Sequence, residues 1–372
     1  MKNSEKVLKF IYTYKSITRK ELASLTNLSE MGVCKILKKY LEENIIYETI
    51  EKKEGKGRPH RIVQLNNSIS NILGIHLSST KIKFYISDLG GAILEKYEFL
   101  LSSEKNIDIL KELKSIILNF KSRYKISIIS VAMNGIVNHK KGVSILSSNY
   151  HWKNINLKEV LEKISDIPAV VNNGSNLLAF FEKNQGIGQK YKNLVAINIG
   201  SGIGAGVIIE NKLYNGSFFQ VGEIGHVPYN LSPDSPICSC GKKGCLETYI
   251  SDWRIEKKVL QELNISLTFE EIIERANSGE EYFKTIFLNM ARALSYTIIW
   301  IDNLLDPEAI ILNGKINNLG DFFKKEIFRL LKENDFNREK KIDIFLDKYD
   351  RDKIIKGAIE MGKVWVSENY KK

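Results

Sequence analysis

Proline and cysteine are scarce in this chain, at 6 and 4 of 372 residues, and no apolar run approaches the roughly 18 residues that a membrane-spanning helix needs. A transmembrane protein is therefore not expected. The first ten residues, Met1 to Phe10, alternate charged and apolar side chains and lack the apolar centre of a signal peptide, so a cytoplasmic chain is expected. One cysteine, Cys34, stands alone. Cys238, Cys240 and Cys245 crowd into eight residues. In a reducing compartment such crowding points to a metal before a disulfide. What the chain has in quantity is lysine, isoleucine and asparagine. With 43% apolar and 10% aromatic residues it can build sizeable cores, and its length suits two or three domains.

The net charge is +11, and it is uneven. Residues 1–66 carry 14 Lys/Arg against 8 Asp/Glu, a surplus of +6 in under a fifth of the chain. A focused basic surplus suits a polyanion such as DNA. Val7, Leu8, Ile11 and Tyr14 recur at helical spacing. Thr18 and Glu21 then match a capping box that opens a second helix, with Leu22 and Leu25 on its inner face. Asn27 tolerates the left-handed backbone of a tight turn. Ser29 caps a third helix whose inward stripe is Val33, Ile36, Leu37 and Tyr40. Two short helices about such a turn form a helix-turn-helix, and the second enters the major groove by its N-terminal end. Ser29, Glu30, Met31, Gly32, Lys35 and Lys38 are the candidate DNA contacts. Strands expected at 45–48 and 61–65 flank a basic, glycine-containing tip at 51–60. That tip reads as a wing, with Arg58 placed to enter a narrow minor groove.

Beyond residue 71, strands alternate with helices, which predicts an α/β body with mixed sheets. Hairpins are expected at 72–76 with 81–86, and at 194–199 with 205–209. The latter turns through Gly200, Gly202 and Gly204, which let backbone amides approach an anion. His226 with Cys238, Cys240 and Cys245 supplies one imidazole and three thiolates, a set that closes a tetrahedral, structural Zn²⁺ site. Glu223 and Glu247 lie close to these ligands in sequence, so a bound metal would hold two carboxylates near one another.

The segments Ile199-Gly-Ser-Gly-Ile-Gly-Ala-Gly-Val207, Gly222-Glu-Ile-Gly-His226 and Cys238-Ser-Cys-Gly-Lys-Lys-Gly-Cys-Leu-Glu247 resemble the ROK family of repressors and sugar kinases. Asn134-Gly-Ile-Val137 and Asp306 to Gly314 add to the likeness. The N-terminal segment ending in Gly57-Arg58-Pro59 is similar to the family's xylose- and N-acetylglucosamine-type repressors, since its kinases lack such a domain. The resemblance implies an actin-like, two-lobed body with a sugar cleft between the lobes. It implies sugar contacts from Asn149, Asn173, Glu223, His226 and Glu247, with His226 binding zinc by one nitrogen and sugar by the other.

The family's kinase chemistry is missing. The position of its general base holds Gly174, within Asn172 to Asn176. Its first phosphate loop reads His76-Leu-Ser-Ser-Thr80, with His76 at the acidic position and Ser78 and Ser79 at the glycines. Asn313-Gly314 replaces a glycine pair. Losing a general base alone costs about 10²–10⁴ in rate.

The sequence therefore predicts a winged helix-turn-helix over 1–66, a linker over 66–71 and a kinase-like sensor over 71–372. The sensor's lobes are expected near 71–172 and 173–372, with the C-terminal helix returning to the first lobe. The expected function is sugar-responsive repression by a homodimer on double-stranded operator DNA, with a monosaccharide effector for which xylose is the leading candidate. Three other readings share these residues: a kinase that also binds DNA, a regulator controlled by a protein partner, and a zinc-stapled structural protein.

Overall fold

A computed structural model of the protein describes residues 2–14, 16–51, 60–101, 108–334, 342–346 and 349–369. Arg58 and the rest of the expected wing tip lie outside the described residues. The chain divides into two compact units. The first comprises Met1–Val131, Leu157–Val170 and Ala358–Lys372; the second comprises Ala132–Asn156 and Val171–Gly357. Among the described residues no helix is long and apolar enough to cross a membrane.

The first unit begins with α1 (Asn3–Tyr14), β1 (Ile17–Thr18), α2 (Arg19–Thr26), α3 (Glu30–Glu42), β2 (Ile46–Glu51) and β3 (His60–Leu65). Local chemistry sets the ends of these helices. The Thr18 hydroxyl accepts the Glu21 amide at 3.2 Å, and the Glu21 carboxylate accepts the Thr18 amide at 2.8 Å. Asn27 closes α2 at a φ of 57°. The Ser29 hydroxyl accepts the Gly32 amide at 3.1 Å and opens α3. The three strands form one antiparallel sheet with β3 in the middle. Arg19 grips Glu48 of β2 with two hydrogen bonds of 2.7 and 2.8 Å, tying α2 to that sheet. Leu25 departs from expectation: it is exposed, and α2 buries Leu22, Ala23 and Thr26 instead. A helix of eight residues offers little more than two turns, so a slight roll moves one apolar residue to the rim.

The remainder runs β4 (Asn71–Leu77), β5 (Lys81–Asp88), β6 (Ile93–Leu100), α4 (Ile109–Arg123), β7 (Ile126–Met133), β8 (Ile136–Asn138), β9 (Val143–Ser147), β10 (Trp152–Ile155), α5 (Leu157–Ser165), β11 (Ala169–Asn173), α6 (Gly174–Asn184), β12 (Leu194–Ile199), β13 (Ile203–Ile209) and β14 (Lys212–Leu213). It ends with α7 (Glu247–Ile250), α8 (Asp252–Leu263), α9 (Phe269–Asn277), α10 (Glu281–Leu305), β15 (Ala309–Gly314), α11 (Asp321–Asn334), β16 (Asp343–Leu346) and α12 (Lys353–Asn369). One five-stranded sheet has the order β11-β7-β4-β5-β6, the other β14-β13-β12-β15-β16. In the second, β12 pairs antiparallel with β13 and parallel with β15. Central strands such as β15 are buried throughout and read as continuous apolar runs, as strands covered on both faces do.

The expected linker makes defined contacts. Residues Asn67–Ile69 form a 3-10 turn. The Asn66 amide donates to Ile45 O at 2.8 Å, the Ser70 hydroxyl to Lys125 O at 2.8 Å, and the Leu89 amide to Asn67 O at 3.1 Å. One apolar cluster joins Val7, Leu8, Ile11 and Leu37 to Ile72, Leu89, Ile128 and Val366. The N-terminal segment thus shares a core with the sheet that follows it. The Tyr12 hydroxyl adds a bond to Leu89 O at 2.8 Å.

In the second unit, the start of α12 is pinned by a buried ion pair. Lys353 Nζ lies 2.8 Å from the Glu182 carboxylate of α6, with side chains 9% and 0% exposed. Removing one partner strands a charge away from water. Lys353→Met should therefore lower stability by about 3–5 kcal/mol, read as a fall in the urea midpoint. Adding Glu182→Gln should recover most of the loss.

Candidate metal and ligand site

The site is built on β13 and the segments that lie across it. Gly222, at a φ of +86°, sits so close to the strand that a Cβ would overlap the Ala205 carbonyl. The Ala205 amide donates to Gly222 O at 2.8 Å. This docking aims the next residues, Glu223 and the 3-10 turn Ile224–His226. A knuckle follows. The Cys238 amide donates to Lys242 O at 2.8 Å and the Gly241 amide to Cys238 O at 2.9 Å. Gly244, at a φ of +71°, packs where a Cβ would overlap the Asn230 carbonyl. The Leu246 amide returns to Val227 O at 3.0 Å, which delivers Glu247 to the first turn of α7.

The knuckle brings the expected metal ligands together. One donor atom from each of His226, Cys238, Cys240 and Cys245 lies within 4.8 Å of every other. Cys238 Sγ is 3.5 Å from His226 Nδ1, and Cys240 Sγ is 3.6 Å from Cys245 Sγ. A tetrahedral ion with bonds of about 2.3 Å to sulfur and about 2.0 Å to nitrogen requires edges of roughly 3.5–3.8 Å. The donor set and its spacing therefore fit a four-coordinate metal. Burial pushes the Cys245 thiol up to about 12, so binding a metal there would displace a proton.

His226 turns Nδ1 to the cysteines and Nε2 to Glu223, whose carboxylate is 3.9 Å away. Burial raises the Glu223 pKa above the ordinary carboxylate value; His226 opposes that rise and the nearby Glu247 adds to it. Glu247 accepts the Ile203 amide at 3.2 Å through one oxygen and the Ser239 hydroxyl at 3.4 Å through the other. Glu223, His226 and Glu247 thus form one polar group beside the knuckle.

Asn173 occupies a structural position. Its side-chain oxygen caps α6 by accepting the Ser175 and Asn176 amides at 2.7 and 3.3 Å, and its NH₂ donates to Gly135 O at 2.8 Å. The same helix start lies near the Glu223 loop. A Cβ on Gly204 would stand 2.6 Å from Ser175 Oγ and 3.7 Å from Gly222 O. Asn149 is exposed in the turn between β9 and β10, two residues past Ser147, against which Gly135 packs. Sequence reasoning missed the amides beneath. Asn176 donates to both Asn172 and Asn215 at 3.3 Å. Asn172 and Asn176 were visible only as an asparagine-rich run, and Asn215 lies about 40 residues away in sequence.

The glycine turn after β12 and the start of α6 differ in how tightly they are packed. Gly200 has nothing within 4 Å of where a Cβ would be, so hairpin packing does not demand glycine there. Gly174 likewise meets only ordinary contacts, the nearest being Ile354 at 3.5 Å. By contrast, Ser78 is built into the β4–β5 turn, its hydroxyl donating to Lys81 O at 2.6 Å. Next to Gly200, the Asp252 amide donates to Gly200 O at 3.0 Å. Burial raises the Asp252 pKa to about 7, against the pull of Lys315 3.7 Å away.

The outward face of α3 carries exposed Ser29, Glu30, Met31, Lys35 and Lys38, with Gly32 half-buried. Its inner face buries Val33, Leu37 and Tyr40.

The model of the ROK family matches residues 72–363. The xylose repressor of Caldicellulosiruptor bescii is 27% identical, covering 89% of this chain and 87% of that protein. The DNA-binding transcriptional dual regulator NagC of Escherichia coli is 26% identical, covering 84% of this chain and 80% of that protein. A solved ROK family transcriptional regulator, a homologue of the E. coli MLC protein, matches with a TM-score of 0.81 at 23% identity, covering 99% of this chain and 98% of that one. At that identity the likeness establishes the fold.

The knuckle should hold one metal ion per chain by elemental analysis. Cys245→Ser should abolish that content and lower the melting temperature by several degrees. Asp252 yields a pH test. Its folded pKa lies above the ordinary 3.8, so ionising it costs stability as pH rises from about 4 to about 7. Asp252→Asn should therefore stabilise the protein by about 2–4 kcal/mol at pH 8, and the gain should vanish near pH 4.

Proposed function

Because the chain belongs to the ROK family, we propose that it is a sugar-responsive transcriptional repressor whose kinase chemistry has been lost. The observation that carries this reading is the ring of His226, facing the cysteine cluster with one nitrogen and Glu223 with the other. A metal on the first side would hold the ring still, and the second side then presents a fixed polar group to a ligand. We assign the metal as Zn²⁺ held by His226, Cys238, Cys240 and Cys245. Four protein ligands leave no open position, so the ion is structural.

The effector is a monosaccharide, and the xylose repressors among the relatives make xylose the leading candidate. Glu223 and Glu247 accept from sugar hydroxyls, Asn149 both donates and accepts, and His226 offers Nε2. Asn173 contributes its remaining N–H, since its oxygen already caps α6. Gly174 has no group to take a proton from a sugar hydroxyl, and His76 is a poor partner for a phosphate-bound cation.

Residues 1–66 act as a winged helix-turn-helix and 71–372 as the sensor. Two chains place their α3 helices in successive major grooves of a two-fold operator. Ser29, Glu30, Met31 and Gly32 face base edges at the helix start, while Lys35 and Lys38 meet phosphates. Arg58 on the wing adds a minor-groove contact. Sugar favours a conformation with weaker DNA affinity. A coupling of about 1–3 kcal/mol is sufficient, and it is reciprocal, so operator DNA weakens sugar binding by the same factor. This chemistry places the protein with the chromosome in the cytoplasm.

Thermal unfolding of the metal-loaded chain against a panel of monosaccharides tests the sensor. One sugar at 100 times its dissociation constant should add about 2.7 kcal/mol, and Glu223→Ala should remove the shift. If no sugar moves the transition, the sensor reading fails. Sugar-dependent ADP release above that of Glu223→Ala would restore a kinase. On the DNA side, Lys35→Ala should weaken binding across sequences and reduce the salt slope by about 1, measured by titration at several salt concentrations.

A further inference from the structure

β12 and β15 run parallel with Ile199 opposite Gly314, so the glycine turn and Lys315 leave the sheet side by side. The carboxyl end of parallel strands is where open α/β sheets receive ligands. Helix α8 starts at the same place. The Asp252 amide donates to Gly200 O and the Trp253 indole to Ser201 O, each at 3.0 Å, which fixes the turn against the helix start. The Ser251 hydroxyl is fully buried without a hydrogen-bond partner, and α8 has no side-chain cap. A glycine turn, a lysine and an uncapped helix N-terminus together suit an anion.

The chain already supplies an anion there. Asp252 is only 9% exposed. Lys315 Nζ lies 3.7 Å from one of its carboxylate oxygens, and the other oxygen has no hydrogen-bond partner. Lys315 is shared with Glu270 at 2.9 Å. At the other end of the turn, Glu247 already accepts the Ile203 amide at 3.2 Å. A helix start favours an ionised acid, yet burial outweighs this and raises the Asp252 pKa to about 7. Asparagine would fill the same space without that cost. A charge kept at a cost, beside a turn able to meet an anion, points to function.

We propose that Asp252 keeps phosphate groups out of the glycine turn: its carboxylate stands at the anion position and repels the phosphates of a nucleotide. The inference rests on the loss of kinase chemistry proposed above and deepens it. Gly174 and His76 account for the loss of transfer; Asp252 accounts for the loss of nucleotide binding. The sugar side of the site then answers to sugar alone.

The test is calorimetric titration of the metal-loaded full chain with inorganic pyrophosphate and with ADP, beside Asp252→Asn. At pH 8 the variant should bind at least one probe at least about 10-fold more tightly than wild type, because a like charge a few ångströms away is gone. Asp252→Ser, which also removes the charge, should show the same gain. The gap should close between pH 8 and pH 6, as wild-type Asp252 takes up a proton near pH 7. The titratable groups around it, Lys315, Glu256, Glu270 and Tyr349, are common to both proteins, so the change in the ratio reports Asp252. Variants that gain for neither probe overturn the proposal, and so does a gap that persists at pH 6. Sugar-induced thermal stabilisation of the same samples separates the two readings. A gain in phosphate binding with no response to any sugar leaves Asp252 in its role and rejects the sensor. A sugar response without that gain does the reverse.

Discussion

The two nitrogens of one imidazole ring organise the second unit of this protein. Nδ1 of His226 lies 3.5 Å from the Cys238 thiol of the cysteine cluster, and Nε2 faces a half-buried carboxylate. A histidine free to rotate would serve neither side. Here the ring is set by the 3-10 turn of its own segment and by the docking of Gly222 on β13. The knuckle between Val227 and Leu246 is held by backbone bonds, and it returns the chain so that Glu247 stands close to Glu223. The cysteine cluster and the pair of carboxylates therefore meet at one side chain, and a metal on one side would preorganise the other.

Gly174 and Gly200 are not forced by packing, because each has room for a Cβ. Ser78 is different: its hydroxyl is part of the β4–β5 turn, so that turn depends on a side chain.

Much of the fold was legible in local sequence. The capping box of Thr18 and Glu21, the left-handed Asn27 and the Ser29 cap all rest on groups within three residues of one another. Their energetics need nothing distant. The clustering of three cysteines with a histidine was legible because few other chemistries use that set at such spacing. Leu25 was misjudged, because exposure at the rim of a two-turn helix depends on what packs beside it. The stretch expected as a linker bonds to Ile45, Lys125 and Leu89, partners 20 or more positions away that local sequence does not name.

Local sequence set which groups are present: three cysteines and a histidine, the helix caps, the two carboxylates, and a glycine at position 174. Tertiary structure decided what those groups do. It chose which nitrogen of His226 meets the cysteines, committed the Asn173 oxygen to a helix cap, and gathered Asn172, Asn176 and Asn215 into one network. It also joined the N-terminal helices and the first large sheet in a common core. The physical reason is range. Caps and turns close within one or two residue spacings and are encoded where they act. Orientation, burial and shared cores depend on residues tens to hundreds of positions apart, and they exist only once packing has brought those residues together.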